Sequence, residues 1–381
     1  MAAAACWDEL PDDMLRSIQG RLPCPIDSVN MGACCKSWHK AVPKPAARHM
    51  VLPWLLMPFA GGPSFGCILS DGACHKLNLL PEDARGGRFF GSYDGKWLFV
   101  ALRGGGREGH TLLNLCTRER IPLPDFDYGL PTVDGGCVAA AILNMPGTYR
   151  WPFVCFWRLG SPVAIEGEEI NGARGTAAQD IAYLDGRFLV LTKGEHLRAY
   201  TVLDEPDPLR GGDLRVVCDF YITGRDKQIQ KGEARAGYLV PSRGDLLMVV
   251  KEWRRSDGAA SSVQLFVLTP VAHHNPEHTR AWTRVESLDG RLLVVGPGCS
   301  RAYECTGCNV HEGVYFLDDR TYYSRRKFVV PYFTLHSDPN EFVFADNGRC
   351  RLLPPHPEHC FPVEPEEGCS STYSPPVWIL P

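Results

Sequence analysis

The chain has 381 residues, of which 44% are apolar, and a formal net charge of −4 at pH 7. This length and apolar content predict a globular protein with room for one small and one large domain. The mild negative charge gives no argument for nucleic acid or a membrane surface as a partner, so we expect neither.

The N-terminus and the cysteines indicate where the protein works. The first residues, MAAAACWDELPDD, have no basic start and reach acidic residues at once, which is not typical of a signal peptide. The 16 cysteines are scattered through a long chain rather than arranged as a compact framework. We therefore expect reduced thiols and a location in the cytoplasm, the nucleus or both.

Three short helices are the first predicted elements, between Leu10 and Val42. Pro11 suits a first helical turn, and the acidic residues behind it favour the positive end of the helix dipole. An apolar stripe follows at helical spacings, made of Met14, Leu15, Ile18 and Leu22. The third helix would carry Cys34, Cys35, Trp38 and Val42. So few residues cannot enclose a core alone, so their apolar surface must dock on the rest of the chain or on another protein.

This segment resembles the F-box, whose pattern is roughly Leu-Pro-x-acid-Leu-Leu, then Ile, then Val-Cys-Lys-x-Trp. The first part of the pattern is matched by Leu10, Pro11, Asp13, Met14, Leu15 and Ile18. The last part is matched by Cys34, Cys35, Lys36 and Trp38. The middle departs from the pattern, because Asn30, Met31 and Gly32 stand where leucine and arginine are common, and glycine weakens a helix.

The resemblance implies docking on a Skp-type adaptor and, through it, on a cullin ubiquitin ligase. By the same resemblance, the residues facing the adaptor would be Leu10, Pro11, Leu15, Ile18, Val29, Cys35 and Trp38. Two alternatives stay open: an F-box-like protein that acts outside a ligase, and a helical cap that packs on the chain's own β domain. We expect the three helices within residues 1–45, a linker that enters the β domain at 46–60 and the β domain itself at 61–381.

The β domain is predicted from apolar runs that each follow a turn glycine. The runs are DGKWLFVAL, DGRFLVLT, RGDLLMVV and DGRLLVVG, whose turn glycines are Gly95, Gly186, Gly244 and Gly290, and GGCVAAAIL near Gly136 fills the longest gap. Repeats of roughly 40–50 residues with several strands each predict a β-propeller, here of five to seven blades. The runs are apolar at consecutive positions, which predicts inner strands buried on both faces.

Each run is followed by a second strand, and we expect the two to form a hairpin. These second strands are HTLLNL, HLRAYTV, SVQLFVL and GVYFL. Helical periodicity is rare after Gly61, although PEDARGG predicts a single turn. The fold class is therefore mostly β, a propeller-like repeat domain preceded by three small helices.

The β domain resembles the kelch-like C-terminal domain of unknown function 295 of plant F-box proteins. The resemblance rests on PWLLMP from Pro53, LLNLCTRERIPLP from Leu112, WTRVESLDGRLLVVG from Trp282, GVYFLDD from Gly313 and the terminal PPVWILP. The segment CTGCNVHEGVYF departs from the usual shorter turn. That family has no agreed catalytic residues, so the resemblance implies none here.

Motifs that suggest chemistry lack the context that the chemistry needs. Gly104, Gly106 and Gly109 form a G-x-G-x-x-G pattern, but a strand rather than a helix follows. Ser64 lies in GPSFG without the helix of a nucleophile elbow. A zinc site could use Cys299, Cys305, Cys308 and His311, but all four fall on one short loop. We expect no metal and no cofactor.

These observations lead to one functional hypothesis and one alternative of another class. The hypothesis is a non-catalytic subunit of a Skp-cullin-F-box ubiquitin ligase, whose β domain captures a protein substrate through residues that the sequence does not identify. It would act by proximity, holding a lysine of the substrate near the conjugating enzyme. The alternative is a propeller enzyme or small-ligand binder whose helices form an internal cap.

Overall fold

A computed structural model gives the structure of the protein. It describes residues 7–22, 24–42, 53–57, 63–67, 74–75, 80–93, 97–102, 109–123, 129–133, 138–143, 153–159, 161, 163–167, 177–207, 214–222, 224, 233–254, 260–270, 280–305, 312–317, 348–352, 355–358 and 377–379. None of the helices among them is long and apolar enough to cross a membrane.

The helices come first in the chain, as expected. A 3-10 turn at Trp7–Glu9 precedes α1 (Asp12–Gln19), α2 (Pro25–Ala33) and α3 (Lys36–Ala41). α1 has two acidic residues in its first turn, which its dipole favours, and α2 begins at a proline that fits the first helical position. α2 continues through Gly32, where an added Cβ would lie 3.7 Å from Val42. The single turn expected in PEDARGG is α4 (Glu82–Arg85).

The strands form six sheets among the described residues, and each sheet is one propeller blade. The strands of blades 1 to 3 are β1 (Trp54–Met57), β2 (Ser64–Cys67), β3 (Cys74–His75), β4 (Arg88–Tyr93), β5 (Trp97–Leu102), β6 (Gly109–Asn114), β7 (Arg120–Pro122), β8 (Gly129–Val133), β9 (Val138–Leu143), β10 (Phe153–Arg158) and β11 (Ile165–Glu166). The strands of blades 4 to 6 are β12 (Ala178–Leu184), β13 (Arg187–Thr192), β14 (Leu197–Leu203), β15 (Arg215–Ile222), β16 (Glu233–Ser242), β17 (Asp245–Arg254), β18 (Ala260–Pro270), β19 (Arg280–Val285), β20 (Arg291–Val295), β21 (Arg301–Glu304), β22 (Gly313–Phe316), β23 (Gly348–Leu352) and β24 (Pro355–Glu358). A last strand, β25 (Val377–Ile379), returns to blade 1.

The C-terminal strand closes the ring. β25 pairs antiparallel with β1, so residues more than 300 positions apart share the first blade. At its centre, the Trp378 indole N–H donates to the Val295 carbonyl of blade 6 at 2.9 Å. The Trp378 carbonyl accepts from the Ser92 hydroxyl of blade 2 at 2.8 Å. One residue of the last strand therefore links the two blades on either side of the closure.

Apolar seams between neighbouring blades form the core. Six clusters of buried side chains each join one blade to the next, and the last joins blade 6 back to blade 1. Alternate residues of a strand serve different seams: Phe188 and Val190 of β13 face blade 3, whereas Leu189 and Leu191 face blade 5. This alternation explains the runs of consecutive apolar residues, because both faces of such a strand are buried.

The turn glycines behave as the sequence predicts where they are described. Gly186 and Gly244 have φ values of 78° and 81°, and the residues before them, Asp185 and Arg243, have φ values of 50° and 53°. Two successive positive φ values define the type I′ turn that joins the strands of a tight hairpin. Gly95 and Gly136 lie outside the described residues.

A turn of blade 6 occupies the axis of the ring. The Gly298 N–H donates to the Asp180 carboxylate of blade 4 at 2.7 Å, and the same carboxylate accepts from the Leu239 N–H of blade 5 at 2.6 Å. On the opposite side, a Cβ added to Gly91 of blade 2 would lie 3.4 Å from Cys299. Asp180 is 1% exposed. One buried carboxylate therefore binds the turn in place from across the axis.

Charged groups at the seam between blades 5 and 6 are paired. The buried Lys251 ammonium donates to the Leu317 carbonyl at 2.6 Å and lies over the Phe316 ring. At the exposed rim, Arg243 forms a two-pronged hydrogen bond with Glu304. This hydrogen bond lowers the pKa of the Glu304 carboxyl and raises the pKa of Arg243.

Three expectations need correction. β20 and β22 do not form a hairpin but pair in parallel, because β21 folds back on the other side of β20. The apolar runs lie second from the axis, since β4, β12 and β16 pair on their inner sides. The β domain begins by Trp54, inside the segment 46–60 expected to be a linker.

We predict that Asp180→Ala lowers the stability of the whole propeller. The substitution leaves the buried Leu239 N–H and the partly buried Gly298 N–H without their charged acceptor, at a cost of about 2–5 kcal/mol. A fall in the midpoint of chemical or thermal unfolding would measure the effect. Asp245→Ala, at an exposed turn, is the matched control and should change stability by no more than about 0.5 kcal/mol. Equal midpoints for the two variants would show that the axial turn does not need Asp180.

Candidate functional site

The three N-terminal helices form a small module with its own core, here called the helical module (residues 7–42). Its centre consists of Leu15, Met31, Ala41 and Val42, with Leu10, Leu22 and Trp38 packed around them. The Gln19 side-chain amide donates to the Ser28 hydroxyl at 2.9 Å and ties α1 to α2. The helices therefore hold one another before any partner is added.

Side chains at the helix ends fix the third helix. The Cys35 sulfur accepts a hydrogen bond from the Trp38 N–H at 3.4 Å and caps α3. The Trp38 indole N–H donates to the Trp7 carbonyl at 2.9 Å, which joins α3 to the N-terminal 3-10 turn. The half-buried Cys35 and Trp38 thus maintain the module's shape.

The module contacts the propeller at blade 1. Cys24, at the N-terminal end of α2, lies with its sulfur 3.6 Å from the sulfur of Cys67, the last residue of β2. Both side chains are buried, at 0% and 1% exposure. This contact places the module against the end of blade 1 where Cys67 pairs with Trp54.

Exposed apolar surface is concentrated on the helical module. Among the described residues, six large apolar side chains are exposed, and four of them belong to the module: Trp7, Met14, Ile18 and Val29. The other two, Val163 and Leu203, belong to the propeller. Met14 and Ile18 are four residues apart on α1 and so share one face of the helix. Exposed apolar side chains in this number on a small module are typical of a protein-binding surface.

The residues that the sequence assigns to the adaptor face divide into two groups. Pro11, Ile18 and Val29 are exposed. Leu10, Cys35 and Trp38 are half-buried and support the module itself. Leu15 is fully buried in the module's core, so it has no surface to offer a partner, and its assignment to the binding face needs correction.

Two exposed residues were not assigned to the binding face from the sequence. Trp7 is 70% exposed and Met14 is 52% exposed. The signal for Met14 was present, because it lies four positions before Ile18, whereas Leu15 and Leu22 are seven positions apart. The stripe is thus two adjacent rows, of which one faces inward and the other outward.

The motifs that suggest chemistry have structural positions where they are described. Ser64 begins strand β2 and Gly109 begins β6, which pairs with β5 in a hairpin. Gly104 and Gly106 lie outside the described residues, as do Cys308 and His311 of the candidate zinc set. Cys299 is buried in the axial turn and Cys305 is half-buried. Within the part of the chain that is described, no three potential ligands cluster as a metal site.

Comparison with known proteins bears on the propeller. The family model of the KIB1-4 beta-propeller matches residues 67–344. No curated protein matches the chain. Among solved structures, the chain is similar to a putative 6-phosphogluconolactonase from Bacteroides fragilis NCTC 9343, with 14% identity over 66% of this chain and 70% of that one. The TM-score is 0.29, and a likeness at that level carries no argument about fold or activity.

We predict that neighbouring residues of α1 respond oppositely to truncation. Leu15→Ala removes a core side chain and should cost about 2–5 kcal/mol, so amides in α1 and α3 should exchange hydrogen at least about tenfold faster. Ile18→Ala, on the outer row, should leave exchange nearly unchanged. Hydrogen exchange of the full chain, read by mass spectrometry, separates the two. Faster exchange in Ile18→Ala than in Leu15→Ala would contradict the placement of Leu15 in the core.

Proposed function

This chain belongs to the KIB1-4 beta-propeller family, and from that premise we propose that it is a substrate-recognition subunit of a Skp-cullin-F-box ubiquitin ligase. The helical module binds a Skp-type adaptor, and the adaptor brings the cullin. The propeller holds the protein to be modified. The protein itself contributes no chemical step.

The observation that supports this proposal most strongly is the exposure of four large apolar side chains on the helical module. Trp7, Met14, Ile18 and Val29 keep between 36% and 70% of their surface exposed although the module has a core of its own. Covering such side chains is favourable by about 1.5–3 kcal/mol for each one fully buried. The F-box resemblance supplies the identity of the partner that covers them.

The internal-cap alternative requires the same side chains to be covered by this chain. The module does contact blade 1, through Cys24 and Cys67. With that contact in place, the side chains of Trp7, Met14, Ile18 and Val29 are still exposed. A cap over a ligand site also requires polar groups that converge on the propeller axis. Asp180, the buried carboxylate there, already binds two backbone N–H groups.

The propeller suits the capture of a protein because it is a rigid body with loops at both ends. The module contacts the end of blade 1 where β1 begins and β2 ends. In the alternating strand order, the second strands of blades 2 to 5, which are β5, β9, β13 and β17, end on the opposite side. We place the captured protein there, because loops on a rigid scaffold are the usual sites of recognition.

The mechanism is positional. An adaptor bound at one end of the ring and a captured protein at the other end are held at a fixed separation. Holding a lysine near the conjugating enzyme replaces a rare encounter with a local one, and the gain in rate comes from effective concentration. The closed ring contributes by keeping the two ends from moving independently.

We predict that Met14→Asp combined with Ile18→Asp strongly weakens adaptor binding. Two apolar side chains lost from an interface should weaken affinity on the order of a hundredfold. The full chain and a purified Skp-type adaptor, measured by calorimetry, give the affinity. The matched control is Val163→Asp with Leu203→Asp, which alters comparably exposed apolar residues on the propeller and should bind normally.

Three outcomes of this experiment separate the alternatives. Adaptor binding followed by recruitment of a cullin supports the ligase subunit. Adaptor binding without cullin recruitment supports an F-box-like protein that acts outside a ligase. If the wild-type chain fails to bind the adaptor, or if the double aspartate variant binds as well as wild type, the proposal is wrong.

A further inference from the structure

The contact between Cys24 and Cys67 joins the two parts of the protein through a pair of thiols. Their sulfurs are 3.6 Å apart, both residues are in the thiol form, and 43 positions separate them in the chain. Cys24 belongs to the helical module and Cys67 to blade 1. Packing alone needs two small apolar groups at such a place. Two thiols in contact can do more than pack, because they can be oxidised to a disulfide.

We propose that Cys24 and Cys67 form a reversible disulfide that bonds the helical module covalently to the propeller. A disulfide needs its sulfurs about 2.05 Å apart, so the two atoms must approach by roughly 1.5 Å. Both residues lie at the end of a regular element, since Cys24 precedes α2 and Cys67 is the last residue of β2. Side-chain rotation and a small local shift at these ends can supply the approach.

The chemistry balances with a peroxide as the oxidant. The thiolate of one cysteine attacks a peroxide oxygen, which breaks the O–O bond, releases water and leaves a sulfenic acid. The second thiolate attacks that sulfur, forms the S–S bond and expels hydroxide, which takes a proton to become water. Two thiols and one hydrogen peroxide thus give one disulfide and two waters. A thiol reductant reverses the change by thiol–disulfide exchange.

Burial decides how the pair responds. The two sulfurs are almost inaccessible, so the first attack must wait for the module to open locally, and oxidation should be slower than at an exposed thiol. Once one sulfur is oxidised, however, the other is already in contact with it. We therefore expect the disulfide rather than further oxidation to sulfinic acid. Exposed thiols such as Cys34 and Cys116 offer a comparison without this neighbour at contact distance in the described structure.

The consequence is a change in how firmly the module is held. In the reduced state the module stays on blade 1 through non-covalent contacts, and in the oxidised state it cannot leave. If the proposed adaptor role is correct, and this consequence rests on that role, the disulfide fixes the adaptor face relative to the loops at the far end of the propeller. The bond itself does not depend on the adaptor.

Peptide mapping of the oxidised full chain tests the proposal. Reduced protein is treated with hydrogen peroxide, denatured in N-ethylmaleimide and digested without reductant by trypsin and Asp-N together. This digestion releases residues 22–26 and 49–70 as peptides that contain Cys24 and Cys67 as their sole cysteines. We expect the two peptides to appear linked, lighter by two hydrogen atoms than their sum, and to separate after reduction.

Matched variants and a second measurement make the result decisive. The linked pair should be absent from Cys67→Ser and present in Cys116→Ser. Oxidation should raise the midpoint of thermal unfolding of the wild-type chain but not that of Cys67→Ser. Because the buried pair reacts slowly, peroxide treatment continues well beyond the time that oxidises Cys34 and Cys116. Recovery of both peptides as separate maleimide adducts after that longer treatment would overturn the proposal. Since no adaptor is used, this failure is distinguishable from failure of the ligase role.

Discussion

The pairing of β25 with β1 is the contact on which the rest of the protein depends. Without it, blade 1 has no inner strand and the seam between blades 6 and 1 loses Trp378, whose indole and carbonyl bind neighbouring blades on either side. Each seam is buried only because both of its blades are present, so an open ring exposes apolar surface at the break. Closure also fixes the turn held by Asp180 at the axis. The ring is therefore a rigid platform rather than a chain of independent sheets.

The helical module differs from the propeller in how it uses its apolar residues. Among the described residues, the propeller leaves only two large apolar side chains exposed, whereas the module buries one row of α1 and leaves the other exposed. A three-helix unit of this size has too little interior to bury both rows. The same limit leaves apolar surface on the module, and the contact between Cys24 and Cys67 joins the module to blade 1.

Much of the fold could be predicted from the sequence because local patterns determine it. Turn glycines fix the hairpins through their positive φ, and consecutive apolar residues mark strands between two seams. The position of β21 on the axis side of β20, which leaves β20 paired in parallel with β22, could not be predicted. It depends on contacts with other blades. Likewise, the spacing of Leu15 and Ile18 shows an apolar stripe but not which row the other helices cover. The contact between Cys24 and Cys67 could not be predicted from a local sequence pattern, because the two residues are 43 positions apart and meet only in the folded protein.

The most direct measurement of the central claim is hydrogen exchange of the full chain with and without a saturating Skp-type adaptor. If the adaptor covers the exposed apolar residues of α1 and α2, it should slow hydrogen exchange of the amides in these two helices. Exchange in blades 2 to 5 should remain unchanged. Protection confined to the propeller, with α1 and α2 unaffected, would contradict the claim that the outer row of the helical module is the surface that the adaptor covers.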